Sequence, residues 1–145
     1  MLVAAIVPAP GESAGDSWGD TGHDEARRAH DVREGLDPDE PFDPVSTFLH
    51  DLPRDVLAEV LNHPPKDQSG AIFTDPWPLQ AWPDVPTRFL LCVQDRFFPA
   101  DFQRRVVRER LGIVPDEIDS GHLPALGHSE ELVERLERYR AELAG

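Results

Sequence analysis

The chain has 145 residues, of which 28 are Asp or Glu and 14 are Lys or Arg, so its net charge is −14. A chain of this length is normally one domain, and so acidic a surface repels phosphate backbones, which excludes nucleic acid as a partner. No apolar stretch approaches the ~20 residues of a membrane span, and the start, MLVAAIVP, lacks the basic region of a signal peptide. We therefore expect a cytoplasmic protein without a membrane partner.

The first predicted element is a strand over residues 2–7, a continuous apolar run typical of a strand buried in a parallel sheet. A parallel strand needs neighbours at its edges and cover on its faces, so we expect this strand to belong to a larger sheet. Residues 8–22, PAPGESAGDSWGDTG, have the composition of a loop.

This predicted loop contains a literal G-x-S-x-G motif, residues 11–15, with Ser13 at its centre. In a nucleophile elbow, a strand turns directly into a helix and places the serine at the helix N-terminus beside oxyanion donors. Here Pro8-Ala9-Pro10 separates the strand from the motif, and the polar residues 16–20 follow where an apolar helix should begin. We therefore interpret the motif as a flexible loop beside the pocket, with a working elbow as the alternative.

Residues 8–85 are predicted to form an irregular cap, because 12 of the 15 prolines lie at or before Pro86. This cap is also acidic, since residues 1–85 carry a charge of −12. It should contain a weakly held helix over residues 24–34, which has little apolar face.

A firmer amphipathic helix is predicted over residues 51–63, and Pro64 and Pro65 should end it. The proline-spaced aromatic segment that follows, residues 73–83, is incompatible with a regular helix. Three aromatic rings of the cap either wall an apolar substrate pocket or only pack the cap onto the sheet: Phe48, Trp77 and Trp82.

The stretch from Val85 to Leu126 predicts a strand, a helix and a second strand. Residues 89–93 form a short apolar run that suits a buried strand. Pro99 and Asp101 can open the helix and Gly112 can close it, and a short strand should follow near residues 117–119. We expect these two strands and the strand at residues 2–7 to be parallel neighbours.

The last predicted element is an amphipathic helix that Ser129 caps. Its apolar residues are expected to face inward: Leu132, Val133, Leu136, Tyr139 and Leu143.

Two residues with catalytic chemistry follow the predicted strands. Asp95 comes after the strand at residues 89–93, and His122 follows the strand at residues 117–119. In an open parallel sheet, the loops after the carboxyl ends of strands hold the chemistry, and an acid and an imidazole are what a hydrolytic triad needs besides its nucleophile. We predict that Asp95 and His122 are catalytic and lie within hydrogen-bond distance, with His128 as the alternative histidine.

The cysteine and the other histidines do not predict a catalytic or metal site. Cys92 lies in an apolar run, which favours a buried inert thiol over a nucleophile. The remaining histidines are scattered through the cap, and no tight cluster of ligands predicts a metal site. We expect neither a metal nor a cofactor.

These loops resemble those of the α/β-hydrolase superfamily, near its esterase-like branch related to methylesterases and hydroxynitrile lyases. Residues 94–99, QDRFFP, are similar to the family's acid loop, and residues 119–126, DSGHLPAL, are similar to its histidine loop. Residues 1–16 resemble the strand after the nucleophile helix, and residues 48–82 resemble the cap.

The resemblance implies a partial α/β-hydrolase fold: a three-stranded parallel sheet remnant with flanking helices and an irregular helical cap. The C-terminal part of the core would comprise residues 1–7 and 86–145, and the cap would comprise residues 8–85. Domains of this kind routinely exceed about 200 residues, so about a hundred residues are expected to precede this chain in the complete fold.

The resemblance also implies hydrolysis of an ester with a small acyl group. Asp95 would hold the imidazole of His122, which would take the proton from an attacking serine. Because no serine is convincing, two classes of function stay open. The chain is part of an esterase, truncated or completed by a polypeptide that carries the N-terminal half, or it is a noncatalytic remnant that binds a small apolar ligand or a partner protein. Lyase chemistry also stays open, and we expect the chain alone to be inactive.

Overall fold

The structure is a computed structural model that describes residues 1–63, 66 and 69–144. Three strands form a parallel sheet in the order β1 (Leu2–Val3), β2 (Phe89–Cys92) and β3 (Asp116–Ile118). This arrangement confirms the predicted parallel neighbours, with small differences in where each strand begins and ends.

Helices surround this sheet in the described part of the chain. Those that precede β2 are α1 (Ala14–Asp20), α2 (His23–Glu34), α3 (Pro44–Phe48), α4 (Arg54–Asn62) and α5 (Ala71–Thr74). Those that follow it are α6 (Ala100–Leu111), α7 (Pro124–Gly127) and α8 (Ser129–Ala144). The partial α/β-hydrolase architecture expected from the sequence is therefore present.

The central strand β2 is buried on both faces, and this is why its sequence is a continuous apolar run. Phe89 and Leu91 pack with α6 residues in one apolar cluster, whereas Leu90 and Cys92 pack with Ile118 in a second cluster that Leu132 of α8 covers. The sheet thus has helices on both sides, which is the layering that positions loops at its carboxyl edge.

Strand β1 is shorter than the predicted run of residues 2–7. The backbone of Ala4 has φ 41°, in the left-handed region, which interrupts an extended strand. Its N–H still donates to the carbonyl of Leu90 at 3.1 Å, and Val7 is buried in the core. The apolar run at residues 2–7 is therefore buried or half-buried, but only its first two residues form a strand.

Helix α6 begins and ends where its sequence signals predict. Pro99 occupies the N-cap position, and Gly112 ends the helix with φ 67° while its N–H donates to the carbonyl of Arg108. A left-handed residue at this place favours glycine because it has no Cβ.

The prediction that residues 8–22 are a loop is wrong for residues 14–20, which form α1. Ser13 Oγ accepts a hydrogen bond from the Asp16 N–H at 3.0 Å, and the Asp16 carboxylate accepts one from the Ser13 N–H at 3.1 Å. This capping box satisfies the first free donors of the helix and offsets the low helix propensity of its Gly, Ser and Asp residues.

The two helices predicted over residues 24–34 and 51–63 agree with the structure more closely. Helix α2 begins one residue before the predicted range, and α4 begins three residues later than predicted, after Pro53. The predicted stop at Pro64 and Pro65 lies outside the described residues. Residues 75–83 form neither helix nor strand, as expected, although Phe73 and Thr74 belong to the short α5.

The prediction that five apolar residues of α8 face inward is only partly correct. Tyr139 is buried and Leu132 packs against the sheet. Val133, Leu136 and Leu143 are 56%, 39% and 60% exposed, because no other described element covers that side of the helix. Of the helices that the structure describes, none is both long and apolar enough to cross a bilayer.

Candidate active site

Asp95 lies in the tight turn that follows β2, and its carboxylate is fully buried. Its Oδ1 atom accepts hydrogen bonds from the backbone N–H groups of Phe97 and Phe98, at 2.8 and 3.0 Å. These bonds fix the orientation of the carboxylate in the turn. Its Oδ2 atom is then left to accept a bond from another part of the chain.

That bond comes from His122, in the loop after β3. The distance between His122 Nδ1 and Asp95 Oδ2 is 2.8 Å, so the predicted contact is present. Because the carboxylate oxygen accepts, Nδ1 donates, and Nε2 is then the acceptor atom of the neutral ring. The imidazole is 19% exposed, whereas Asp95 is 0% exposed.

Backbone bonds join the two loops. The N–H of Val93 donates to the carbonyl of Ile118, and the N–H of Gln94 donates to the carbonyl of Ser120, both at 3.0 Å. The Gln94 side chain also donates to Asp119 at 3.0 Å. The register of β2 on β3 therefore brings the acid and the histidine together, although 26 residues separate them in sequence.

An open apolar concavity of about 670 Å³ lies beside the imidazole. The ring of Phe48 is tilted against that of His122 with centroids 4.8 Å apart, and the centroids of Phe97 and Phe98 lie 5.8 and 5.6 Å from it. The lining residues are Ala4, Ile6, Trp18, Phe42, Phe48, Phe73, Phe97, Phe98 and His122. Such a surface suits an apolar group placed next to the imidazole.

Only Phe48, of the three aromatic residues predicted to bind substrate, lines this concavity. Trp77 and Trp82 stack on each other with centroids 4.8 Å apart. The Trp82 indole donates to the carbonyl of Pro8 at 3.0 Å, which fixes residue 82 to the segment after β1. The sequence prediction did not include Phe42, Phe73 and Phe97 among the substrate-binding residues, although Phe73 lies in the aromatic segment 73–83 and Phe97 in the predicted acid loop.

Ser13 is not placed as a nucleophile that His122 could activate. Its hydroxyl donates to the Asp16 carboxylate at 2.7 Å, and its φ of −79° is an ordinary extended value, not that of a strained elbow. The neighbouring Glu12 is bound by the Arg110 guanidinium of α6. Within the G-x-S-x-G match, Ser13 therefore caps helix α1 and Glu12 forms an ion pair with Arg110.

Two other potential nucleophiles are also occupied or inert. The hydroxyl of Ser120 donates to the carbonyl of Gly121 at 2.9 Å. Burial raises the pKa of the Cys92 thiol to about 12, so the thiol stays protonated. In the part of the chain that the structure describes, no serine or cysteine side chain forms a hydrogen bond with His122.

Three further histidines contact groups other than Asp95. His23 packs among aromatic rings, and its Nε2 lies 2.7 Å from the carbonyl of Phe97. Burial and the nearby Arg96 guanidinium lower the pKa of His50. His128 lies 3.5 Å from Asp51, not beside Asp95. Within residues 1–63, 66 and 69–144, no group of three or more His, Cys, Asp or Glu side chains is placed to hold a metal ion.

Comparison with models of protein families gives a match. A family model described as the alpha/beta hydrolase family matches residues 1–135, which is nearly the whole chain. Searches of curated proteins and of solved structures found no match. The match includes the three parallel strands and the acid and histidine loops. The chain therefore belongs to the alpha/beta hydrolase family.

Proposed function

We propose that this chain supplies the acid and the histidine of a Ser-His-Asp triad that hydrolyses an ester with a small acyl group. The observation that carries this proposal is the 2.8 Å contact between His122 Nδ1 and Asp95 Oδ2, beside an apolar concavity. A buried carboxylate bound to Nδ1 leaves Nε2 to act as a base. The family membership supports the same class of chemistry.

Each residue has a definite role in this proposal. Asp95 fixes the tautomer of His122 and stabilises the imidazolium that forms during the reaction. His122 Nε2 takes the proton from the serine hydroxyl as the serine attacks the acyl carbonyl, and it returns a proton to the leaving alcohol. Phe48 holds the apolar part of the substrate against the imidazole. A lyase reaction would use the same acid and base, and an esterase-like relationship to methylesterases and hydroxynitrile lyases fits both reactions.

The serine would come from a polypeptide that carries the N-terminal half of the fold. Residues 1–7 and 86–145 would be the C-terminal part of the core, and residues 8–85 would be the cap. Among the residues that the structure describes, β1 pairs with β2 on one edge and with no strand on the other, so that edge would be available to a further strand. The oxyanion donors would come from the same polypeptide, since an elbow supplies one of them. The single buried cysteine fits a reducing compartment such as the cytoplasm.

The test is an assay of residues 1–145 with short-chain aryl esters, alone and with the polypeptide encoded immediately upstream of Met1. We expect no turnover by the chain alone, because an acid and a histidine do little without a nucleophile and oxyanion donors. The added polypeptide should restore activity. Asp95→Asn should then lower kcat by about 10⁴-fold, and His122→Ala should lower it by a similar or larger factor.

Ser13→Ala is the control variant for the nucleophile. It should leave the restored activity intact, because the Ser13 hydroxyl belongs to a helix cap. Turnover by the chain alone that Ser13→Ala abolishes would show that residues 11–15 are a working elbow. Restored activity that survives His122→Ala would overturn the triad.

The second candidate is a noncatalytic member of the family that binds a small apolar ligand. It is favoured by the absence, in the described residues, of a serine or cysteine bound to His122, together with the largely aromatic lining of the concavity. If no upstream polypeptide restores hydrolysis and an apolar ligand protects the folded chain from unfolding, this candidate is the better one.

A further inference from the structure

One short segment of the cap contacts both loops of the candidate site. The carbonyl of Ser46 accepts a hydrogen bond from the Arg96 guanidinium, next to Asp95 in sequence, at 2.9 Å. The ring of Phe48 lies against His122. Asp51, at the end of this segment, reaches the loop that carries His122. Residues 46–51 therefore connect the cap to the acid and the histidine together.

The contact made by Asp51 is directed at the residue before the histidine. Asp51 Oδ2 accepts a hydrogen bond from the backbone N–H of Gly121 at 2.6 Å, and it lies 3.5 Å from His128 Nε2. The carboxylate is largely buried, so the bond is a charge-assisted one in a place where solvent does not compete strongly. Asp51 lies 70 residues away from Gly121 in sequence, so no local pattern announces this contact.

The close approach of Asp51 explains why residue 121 is a glycine. A Cβ atom at Gly121 would lie 2.5 Å from Asp51 Oδ1 and 2.7 Å from its Cγ. The backbone of Gly121 is not in the left-handed region, so its own conformation does not demand glycine. The space that a side chain would need is instead filled by the carboxylate.

We propose that Asp51 is a positioning residue that fixes the loop of His122 from the cap. The proposal rests on the proposed function of His122 as a base. Asp95 holds the imidazole ring, and Asp51 holds the backbone one residue earlier, so the ring has two anchors from different parts of the chain. A shift of the cap at residues 46–51 then moves the imidazole relative to a bound substrate, and a misplacement of about 1 Å costs about 10²-fold in rate.

The first test is a double-mutant cycle on residues 1–145, measured by urea unfolding. Gly121→Ala should lower the urea midpoint, because its Cβ collides with the carboxylate. Asp51→Ala should also lower it, since the Gly121 N–H loses its acceptor. The double variant should unfold no earlier than Asp51→Ala alone, because the collision is gone. Strictly additive losses would show that the two residues do not touch and would overturn the proposal.

The second test observes the imidazole directly by NMR, and it needs no enzymatic activity. In the folded Asp51→Ala variant, the His122 Nδ1–H resonance should shift or broaden, and hydrogen exchange of the Gly121 amide should accelerate at least tenfold. Asp55→Ala removes a carboxylate from the first turn of α4 that is not among the atoms nearest to Gly121, and it should leave both signals unchanged. Unchanged His122 and Gly121 signals in a folded Asp51→Ala variant would show that Asp51 does not position the histidine.

Where the upstream polypeptide restores hydrolysis, Asp51→Ala should lower kcat at least tenfold with a smaller change in KM, since the group it moves acts in the chemical step. A change in KM alone would assign Asp51 to substrate binding and overturn its positioning role. If hydrolysis is never restored, the proposed function fails, while the cycle and the NMR signals still decide whether Asp51 anchors this loop.

Discussion

Glu12, inside the G-x-S-x-G match, is bound to Arg110 of α6 by both of its carboxylate oxygens. The Nη2–Oε1 distance is 2.9 Å, and the other oxygen is bound by Nη1. Arg110 also donates to the carbonyl of Val7 at 2.9 Å, and both side chains are largely buried. The hydrogen bond from Arg110 holds the pKa of Glu12 below its usual value. Glu12 therefore joins the segment before α1 to α6.

Glu12→Gln should lower the free energy of unfolding at pH 7 by about 2 kcal/mol, because a charge-assisted bidentate pair is lost and Arg110 keeps no charged partner. The folded pKa of Glu12 lies below the unfolded value of 4.5, so this stability is fully present above pH 4.5 and disappears as the pH falls through the folded pKa. The difference between wild type and variant, measured by urea unfolding from pH 7 to pH 3, should shrink in that window.

Glu109→Gln is the matched control for this measurement. Glu109 lies on the same helix and pairs with Arg105 at 3.3 Å, but both side chains are exposed. Glu109→Gln should leave the free energy of unfolding nearly unchanged at every pH, because an exposed ion pair contributes little stability. A Glu12→Gln difference that stays constant down to pH 3 would mean that the Glu12 charge does not stabilise the fold.

Among the elements, α1 has the most specific test, because its first turn depends on one hydroxyl. Ser13→Ala removes the side-chain acceptor for the Asp16 N–H and should lower the free energy of unfolding by about 1 kcal/mol. Ser129→Ala should change it much less. Contrary to the sequence prediction, Ser129 is the first residue of α8, and among the described residues its hydroxyl caps no N–H group. Denaturant midpoints of the two variants check this. Equal losses would mean that the capping box in α1 contributes nothing specific.

Local sequence signals were sufficient to predict β2 and α6. The apolar run at residues 89–93 is diagnostic because a strand covered on both faces has no polar side, and Pro99 and Gly112 mark the helix ends by their fixed backbone preferences. Helix α1 was missed because Gly, Ser and Asp gave the segment the composition of a loop. Its signal, Ser13 followed by Asp16 three residues later, was present in the sequence.

Other features depend on contacts that no local pattern encodes. The apolar stripe of α8 is real, but burial of Val133 and Leu143 requires an element packed on that side, and the described residues provide none. Asp95 and His122 were predictable because parallel strands bring their carboxyl ends to one edge. Asp51 was not, because its partner Gly121 lies 70 residues further along the chain.

The surface beside Asp95 and His122 is unusually apolar for so acidic a chain. The concavity next to His122 is lined largely by aromatic side chains, and Phe42 at its edge is 61% exposed. In the described part of the chain, the nearby strand β1 has no partner on one of its edges. Exposed apolar surface of this kind marks a place where a ligand or another polypeptide is bound. The charge of −14 opposes the association of copies of the chain through this surface.

The folded chain should therefore bind an uncharged, environment-sensitive apolar dye at the concavity. Phe42→Ser should weaken the fluorescence enhancement several-fold, because the ring contributes directly to the dye-facing wall. Leu143→Ser is the matched control, since Leu143 is 60% exposed on α8 and does not line the concavity. Circular dichroism establishes that both variants stay folded. If the two substitutions reduce dye binding equally, the dye reports general apolar exposure and not a defined site beside His122. If only Phe42→Ser reduces dye binding, and the upstream polypeptide also displaces the dye, the same surface binds the N-terminal half of the fold.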